Sequence, residues 1–362
     1  MRKNLVFLPV LAAVVLVQLL TAWTGTVFYL TQLTMSAYYS LLIVGLCVLM
    51  GYAGQISLGH AGFFAIGGYL SAALTTRNLT AHMEHPLVRL LDTMGCLHAG
   101  QDIYGDPLLV VAPWAACVAA LIAALVVAFI LGIPVLKLKG HYLAMATLGF
   151  GIIVYRLVLA SEYFGEADGI SGVPGFPLLP GLLINGDLSW RVANYYAAWV
   201  ILLGAMLLLR QLIDSRVGRA LRAIHGAPDA ADAMGVDTAR FKLYTFMLSA
   251  VLSALAGILL THYNGGIGPS EASVMKSVRY VAIVAVGGMA HLWGALVMGV
   301  ILNFLSLRGL FGSYDDAVFG LILIGIMLFA PNGILSLRLG MAGWKGFRLT
   351  ETLRKKQTAK EA

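Results

Sequence analysis

The sequence predicts an all-α, polytopic membrane helix bundle of about ten passes, some of them glycine-broken or re-entrant, and three observations carry that prediction. Of 362 residues, 60% are hydrophobic and only 11% carry formal charge, against roughly a quarter charged in soluble domains. Apolar runs close to the roughly 20 residues that cross a bilayer recur along the chain. Lys and Arg collect in alternate connections between those runs. Soluble globular, disordered and collagen-like classes are thereby excluded, and three Cys are too few for a disulfide scaffold.

The runs lie near 5–22, 33–50, 61–76, 108–134, 141–160, 194–212, 243–262 and 316–330, with a further apolar stretch over 280–307. The first follows Met1-Arg2-Lys3 and meets no small-residue cleavage site before Trp23, so it reads as a retained span rather than a signal peptide. Arg2, Lys3, Lys137, Lys139 and the loop carrying Arg210, Arg216, Arg219, Arg222, Arg240 and Lys242 are assigned to the cytoplasm. The loops at 77–107 and 161–193 fall on the other side, with Glu84, Asp92, Asp102, Asp106, Glu162, Glu166, Asp168 and Asp187.

Residues 338–362 hold seven Lys/Arg against two Glu, a surplus of five within a net charge of +7. A basic tail beside a membrane segment reads as a cytoplasmic anchor to anionic lipid, not as a nucleic-acid surface. One crossing through 280–307 would leave that tail outside. Two short passes broken at Gly287-Gly288 and Gly294 restore the alternation, giving ten passes with both termini cytoplasmic. The chain thus divides into a transmembrane domain over 1–337, containing a cytoplasmic loop at 213–242, and a basic cytoplasmic tail over 338–362.

A second interruption spans Gly51 to Gly62, where four Gly and the polar Gln55, Ser57 and His60 occupy twelve otherwise membrane-like residues. Paired broken segments in two halves of a membrane chain point to a substrate path, because half-helix ends present backbone dipoles inside the bilayer. The competing reading is close helix packing through Gly. Candidate path residues are therefore Gln55, Ser57, Gly59, His60 and Gly62, then His141, Tyr142 and Thr147, then Gly287 and Gly288. Ser57 and Thr147 could instead bond their own helix backbones.

The deep polar groups Gln55, Ser57, His60, Thr147, Ser249, Ser253, His291 and Asn303 are uncharged when the His are neutral. Only Arg156 brings charge near a predicted span, whereas ion-coupled carriers commonly keep acidic or basic groups deep in the membrane. Energy for transport is accordingly expected from outside this chain. No GxxxxGK[ST], HExxH or GxSxG occurs, so no catalytic residue and no cofactor is predicted. His82, Glu84, His85, Cys96 and His98 share a loop, but their spacing matches no zinc pattern and no metal site is assigned. Cys47 and Cys117 read as small apolar fillers, and no disulfide is expected.

The docking surface for an external energy source falls in 213–242. Val217, Ala220, Leu221 and Ile224 form an i, i+3, i+4, i+7 stripe opposite Arg216, Arg219 and Arg222. A second short helix should start at Pro228, take Asp229 in its first turn and stop at Gly235. An amphipathic helix resting on headgroups is the alternative.

Asp229-Ala230-Ala231-Asp232-Ala233-Met234-Gly235 resembles the Glu-Ala-Ala-x-x-x-Gly coupling loop of ABC importer permeases. Three further stretches, Gly54 to Phe64, Gly140 to Gly151 and Ser215 to Ala220, together with Gly287-Gly288-Met289 and Pro331-Asn332-Gly333-Ile334, resemble branched-chain amino-acid ABC importer permeases of the LivM type over roughly residues 33–338. Departures from the pattern stand at Ile152, Phe164-Gly165-Glu166 and His225-Gly226. The resemblance implies a multi-pass permease of a bacterial inner membrane, paired with a LivH-type permease, two cytoplasmic ABC ATPases and a periplasmic or lipid-anchored substrate-binding protein. It implies translocation of branched-chain or related amino acids, with Asp229, Ala230, Ala231 and Gly235 at the ATPase contact. A permease for urea or short amides, a stand-alone secondary carrier and a membrane scaffold are the alternatives.

Overall fold

Continuous apolar helices dominate because lipid offers backbone N–H and C=O groups no partners, so each span must satisfy its own. The computed structural model describes residues 7–80, 89, 92–93, 95–101, 107–138, 140–309 and 314–329. The assignments made for Arg2, Lys3, His82, Glu84, His85, Asp102, Asp106, Lys139, Pro331-Asn332-Gly333-Ile334 and the tail 338–362 lie outside the described residues. Within them the helices are α1 (Phe7–Trp23), α2 (Tyr29–Ala53), α3 (His60–Thr76), α4 (Pro113–Val135), α5 (His141–Ala160) and α6 (Arg191–Asp214). There follow α7 (Arg216–Gly226), α8 (Pro228–Ala233), α9 (Thr238–Asn264), α10 (Val274–Gly287), α11 (Leu292–Leu307) and α12 (Asp315–Phe329). Among the described residues α2, α4, α5, α6 and α9 are long and apolar enough to cross a membrane. The protein is a multi-pass membrane protein built as an all-α bundle.

Helix α2 is the axle. Nearly every residue from Ser36 to Gly51 is buried, as expected of a helix that is apolar all round. Helices α6, α9 and α11 pack on it. Helices α4 and α5 lie outside, burying only one stripe each and turning Ile122, Phe129, Ile130, Met145, Ile153 and Leu157 outward. Those outward faces meet the requirement that a lipid- or partner-facing surface carry no unpaired polar groups.

Short antiparallel pairs close the connections at one end of the bundle: β1 (Leu97–Gln101) with β2 (Pro107–Val111), β3 (Ile170–Ser171) with β6 (Gly266–Ile267), and β4 (Phe176–Leu179) with β5 (Leu182–Ile184). The predicted span at 108–134 is accordingly shortened, because Pro107–Val111 is strand and Pro113 opens the helix. At the opposite, basic end lie α7, α8 and the start of α9. The first helix enters there too, with Phe7 against Trp293 and under the Arg210 guanidinium.

The apolar stretch 280–307 is two antiparallel helices, as the charge alternation requires, but the break falls at Gly288 to His291. Gly288 has φ +97° and turns the chain. Gly294, expected in the break, lies inside α11, where a Cβ would stand 1.8 Å from the Gly287 carbonyl oxygen. The two glycines bring the helix backbones into contact. The first of the pair also begins six residues earlier than expected, at Val274 rather than 280.

Candidate functional site

Helix α2 ends at Gly54, left-handed at φ 67°, ψ 25°. Helix α9 ends at Gly265, left-handed at φ 68°, ψ 19°. Glycine reaches this conformation without the Cβ penalty of other residues. After each cap the chain turns back into the bundle without α-helix, over 55–59 and, with one 3-10 turn at Pro269–Ala272, over 266–273, before a short helix, α3 or α10, resumes. Helices α2 and α9 run antiparallel, with Gly45 against Leu252 and Tyr38 against Tyr263. The two long-helix, return and short-helix units are therefore inverted with respect to each other, an arrangement that places half-helix N-termini inside a membrane protein.

Those N-termini meet. The Ala61 amide at the start of α3 donates to Ser277 Oγ in the first turn of α10 at 3.2 Å, fully buried. His60 bridges Ser57 Oγ at 3.0 Å and Ser249 Oγ at 2.8 Å through its two ring nitrogens. Since a neutral imidazole has one donor and one acceptor, two serine hydroxyls complete it. Helix α5 closes the side: Thr147 Oγ1 accepts from the Leu58 amide at 3.0 Å while donating to its own helix at Leu143 and Ala144. Thr147 thus lies inside the bundle and also bonds its own helix backbone.

Glycine permits this closure. A Cβ on Gly59 would stand 2.6 Å from the Thr147 carbonyl oxygen, and one on Gly62 would stand 3.1 Å from the Phe150 ring. Along the α3–α9 seam, Cβ atoms on Gly67 and Gly257 would fall 2.2 Å from Ala254 O and 2.0 Å from Phe64 O. Glycine in this segment therefore permits close approach of the helices. Gln55 is 3% exposed, and its Oε1 has no hydrogen-bond partner among the described residues.

The structure brings Gln55, Ser57, Gly59, His60, Gly62 and Thr147 together and leaves four candidates elsewhere. His141 and Tyr142 are exposed at the start of α5, Tyr142 by 72%. Gly287 and Gly288 sit at the basic end, where Tyr52 donates to Ala290 O at 2.8 Å and the Gly51 backbone abuts Met289. His291, expected deep, is exposed at the same turn, whereas Ser249, Ser253 and Asn303 are buried. The partner of the first interruption is hence Gly265–Ser273, not Gly287-Gly288.

That second unit carries charge, contrary to the expectation that the bundle holds none. Glu271, Lys276 and Arg279 lie in or before α10, a segment polar enough to read as an outer loop. Lys276 Nζ pairs with Glu271 Oε1 at 3.0 Å, and the Tyr39 hydroxyl donates to the same oxygen at 3.0 Å. Tyr39 stands about ten residues, or about 15 Å, along α2. Arg279 donates to Ser306 Oγ at 2.7 Å and covers the Phe319 ring. The available sequence signal was Lys276 five residues after Glu271, with Ser273 between them as a helix cap.

At the end bearing the β pairs, a cavity of about 770 Å³ is lined by Thr75, Asn78, His98, Trp114, Ser171 and Pro174 among others. His262 ties its floor, bonding Ser71 Oγ and the Pro174 carbonyl at 2.7 Å each. Arg77 crosses from the end of α3 to the Glu162 and Tyr163 carbonyls at 2.8 Å.

At the basic end, Ser215 caps α7, accepting from the Val217 amide at 3.1 Å. The buried stripe of α7 is Gly218, Leu221 and Ile224. Leu221 and Ile224 are buried as expected and Ala220 is half-buried, but Gly218 takes the place of Val217, since its backbone lies against Ile213 and Val217 swings outward. Helix α8 runs from Pro228 to Ala233 with Asp229 in its first turn, and Gly235 at φ +83° ends the turn beyond it. Asp229, Ala230 and Gly235 are exposed, with Met234 beside them 85% exposed. Ala231 is buried, and Asp232 accepts from the Thr238 amide and hydroxyl at the start of α9. His225 at the end of α7 touches Gly54, the hinge of the first broken unit: a Cβ there would lie 2.9 Å from Nδ1.

Residues 28–330 match the family model described as the permease component of the branched-chain amino acid transport system. The chain is 30% identical to the high-affinity branched-chain amino acid transport system permease protein LivM of Salmonella typhimurium, over 83% of this chain and 68% of that protein. It is 26% identical to LivH of Escherichia coli, over 83% and 92%, and 25% identical to BraD of Pseudomonas aeruginosa, over 85% and 95%. No solved structure matches the chain.

Proposed function

Because the chain belongs to the family of branched-chain amino acid transport permease components and is of the LivM type, we propose that it is one of two unlike permease subunits of an ATP-driven importer. The complex carries branched-chain or chemically related amino acids across a bacterial inner membrane. A LivH-type permease completes the membrane unit, two cytoplasmic ATPases drive it, and a periplasmic or lipid-anchored binding protein delivers substrate. Both termini are cytoplasmic, and the ten passes comprise α1 to α6, α9, the returning 265–287 unit, α11 and α12.

The observation that carries this reading is the inverted pair of broken units, whose half-helix N-termini meet in a neutral polar cluster of Ser57, His60, Ser249 and Ser277. Such a path accepts an amino-acid zwitterion, which has no net charge, without a fixed counter-ion. Ion coupling through this cluster is disfavoured, since its serine and histidine groups satisfy one another uncharged. The exposed Asp229, Ala230, Met234 and Gly235 form the ATPase contact, and His225 against Gly54 passes its movement to the first return segment. Co-expression with the candidate partners tests the assembly: the proposal requires the chain to co-purify with a LivH-type permease and two ATPases, and isolation as a functional carrier by itself would refute it.

A further inference from the structure

The junction of the second broken unit holds more polar atoms than it pairs. Glu271 Oε1 is occupied by Lys276 and Tyr39, yet Glu271 Oε2 is buried without a hydrogen-bond partner among the described residues, as are the hydroxyls of Tyr69 and Tyr280. Tyr69 is 1% exposed and Tyr280 0%. Both tyrosines lie within electrostatic range of Glu271, and the Tyr280 ring centroid is 6.2 Å from that of Tyr39, on which Lys276 also stacks at 4.9 Å. A buried polar atom left unpaired is costly, the more so when it is charged. Two unpaired hydroxyls beside one half-paired carboxylate, contributed by three different elements of a membrane bundle, mark a place where a ligand is received.

Charge narrows that ligand. The Glu271–Lys276 pair is neutral in itself, and Arg279, which also reaches Tyr280, is held by Ser306 and the Phe319 ring, so a lone cation or anion added at the pair would add a net charge to a low-dielectric interior at high cost. A zwitterion adds none and carries both signs a few ångströms apart, as the pair itself does. We propose, building on the amino-acid permease reading above, that this junction binds the head group of an α-amino acid in transit. Its ammonium donates to Glu271 Oε2, and its carboxylate accepts from the Tyr69 and Tyr280 hydroxyls. The site has an open edge, since the Glu271 and Lys276 side chains are 19% and 26% exposed.

The test uses the complete complex of both permeases and ATPases. Leucine binding is followed by saturation-transfer NMR without the binding protein, and leucine uptake into proteoliposomes is followed with it. 4-Methylvalerate, which lacks the ammonium, and 3-methylbutylamine, which lacks the carboxylate, serve as comparison probes. Wild-type complex should bind leucine in preference to either probe, and Glu271→Gln should lower leucine binding and uptake by about tenfold or more while still co-purifying with its partners. Unchanged leucine binding and uptake in Glu271→Gln, or 4-methylvalerate binding as well as leucine, would overturn the site. Should Glu271→Gln fail to assemble, Tyr69→Phe decides, because it removes one hydroxyl only: weakened leucine binding supports the site and unchanged binding overturns it. A wild-type complex that imports no amino acid at all would overturn the transport reading, and this site with it.

Discussion

His60 shows how one residue ties separate elements of the fold together. It opens α3 while bridging Ser57 and Ser249, so its ring helps to fasten the first broken unit to α9, as the Ser71–His262 bond does further along. Ser249→Ala should leave one ring nitrogen unpaired in the interior and cost about 1–3 kcal/mol, lowering the melting temperature of the purified complex; an unshifted melting curve would show that the bridge contributes nothing. Gly54 is more constrained, because any side chain there meets both the left-handed backbone and His225. Gly54→Ala should strain the turn by roughly 1–2 kcal/mol and reduce transport at normal ATPase docking, which uptake and pull-down assays on the same preparation would separate. Gln55, Ser57, His60 and Thr147 were legible as a group because polar side chains among glycines are conspicuous in an apolar run. Glu271 was not: its own pairing with Lys276 allows it to enter the bundle, and a carboxylate beside an ammonium reads in sequence as a solvated loop.

At the scale of elements, the long apolar helices were recoverable from run length alone, and the turn at Gly288–His291 followed from charge alternation. The returning segment 265–273 was hidden for a physical reason. It has no helical period and contains Pro269, Ser270 and Glu271, so hydropathy and periodicity both place it outside the membrane. In the fold it packs against α3, α5 and α10, with Ile267 and Ala272 buried. The element most exposed to a partner is α8. Nothing lies within 4 Å of a Cβ on Gly235, so a side chain there has space but not the backbone conformation. Gly235→Val should strain that turn by about 1–2 kcal/mol, leave membrane insertion intact, weaken ATPase association and uncouple hydrolysis from uptake. Wild-type co-purification with normal substrate-stimulated hydrolysis would show that α8 is not the contact.

Across the whole molecule, the alternation of basic and acidic connections agrees with the directions of α1 to α6 and α9 to α11. Helices α1, α3, α5, α9 and α11 run away from the end bearing α7 and α8, and α2, α4, α6 and α10 run toward it. On a background lacking Cys47, Cys96 and Cys117, Asp229→Cys and Asp168→Cys should therefore be labelled by an impermeant reagent from opposite faces of the membrane, Asp229→Cys from the cytoplasm. Labelling of both from one face would break the inverted relation of the two units.

The central claim, that this bundle is a path whose energy comes from partner ATPases, is tested most directly by leucine uptake into proteoliposomes. Vesicles holding the chain alone are compared with vesicles holding it together with its LivH-type partner, the two ATPases and the binding protein. Uptake is predicted only in the complete system, only with ATP on the ATPase side, and without dependence on an imposed proton or sodium gradient. Saturable uptake by the chain alone, driven by such a gradient and indifferent to ATP, would contradict it.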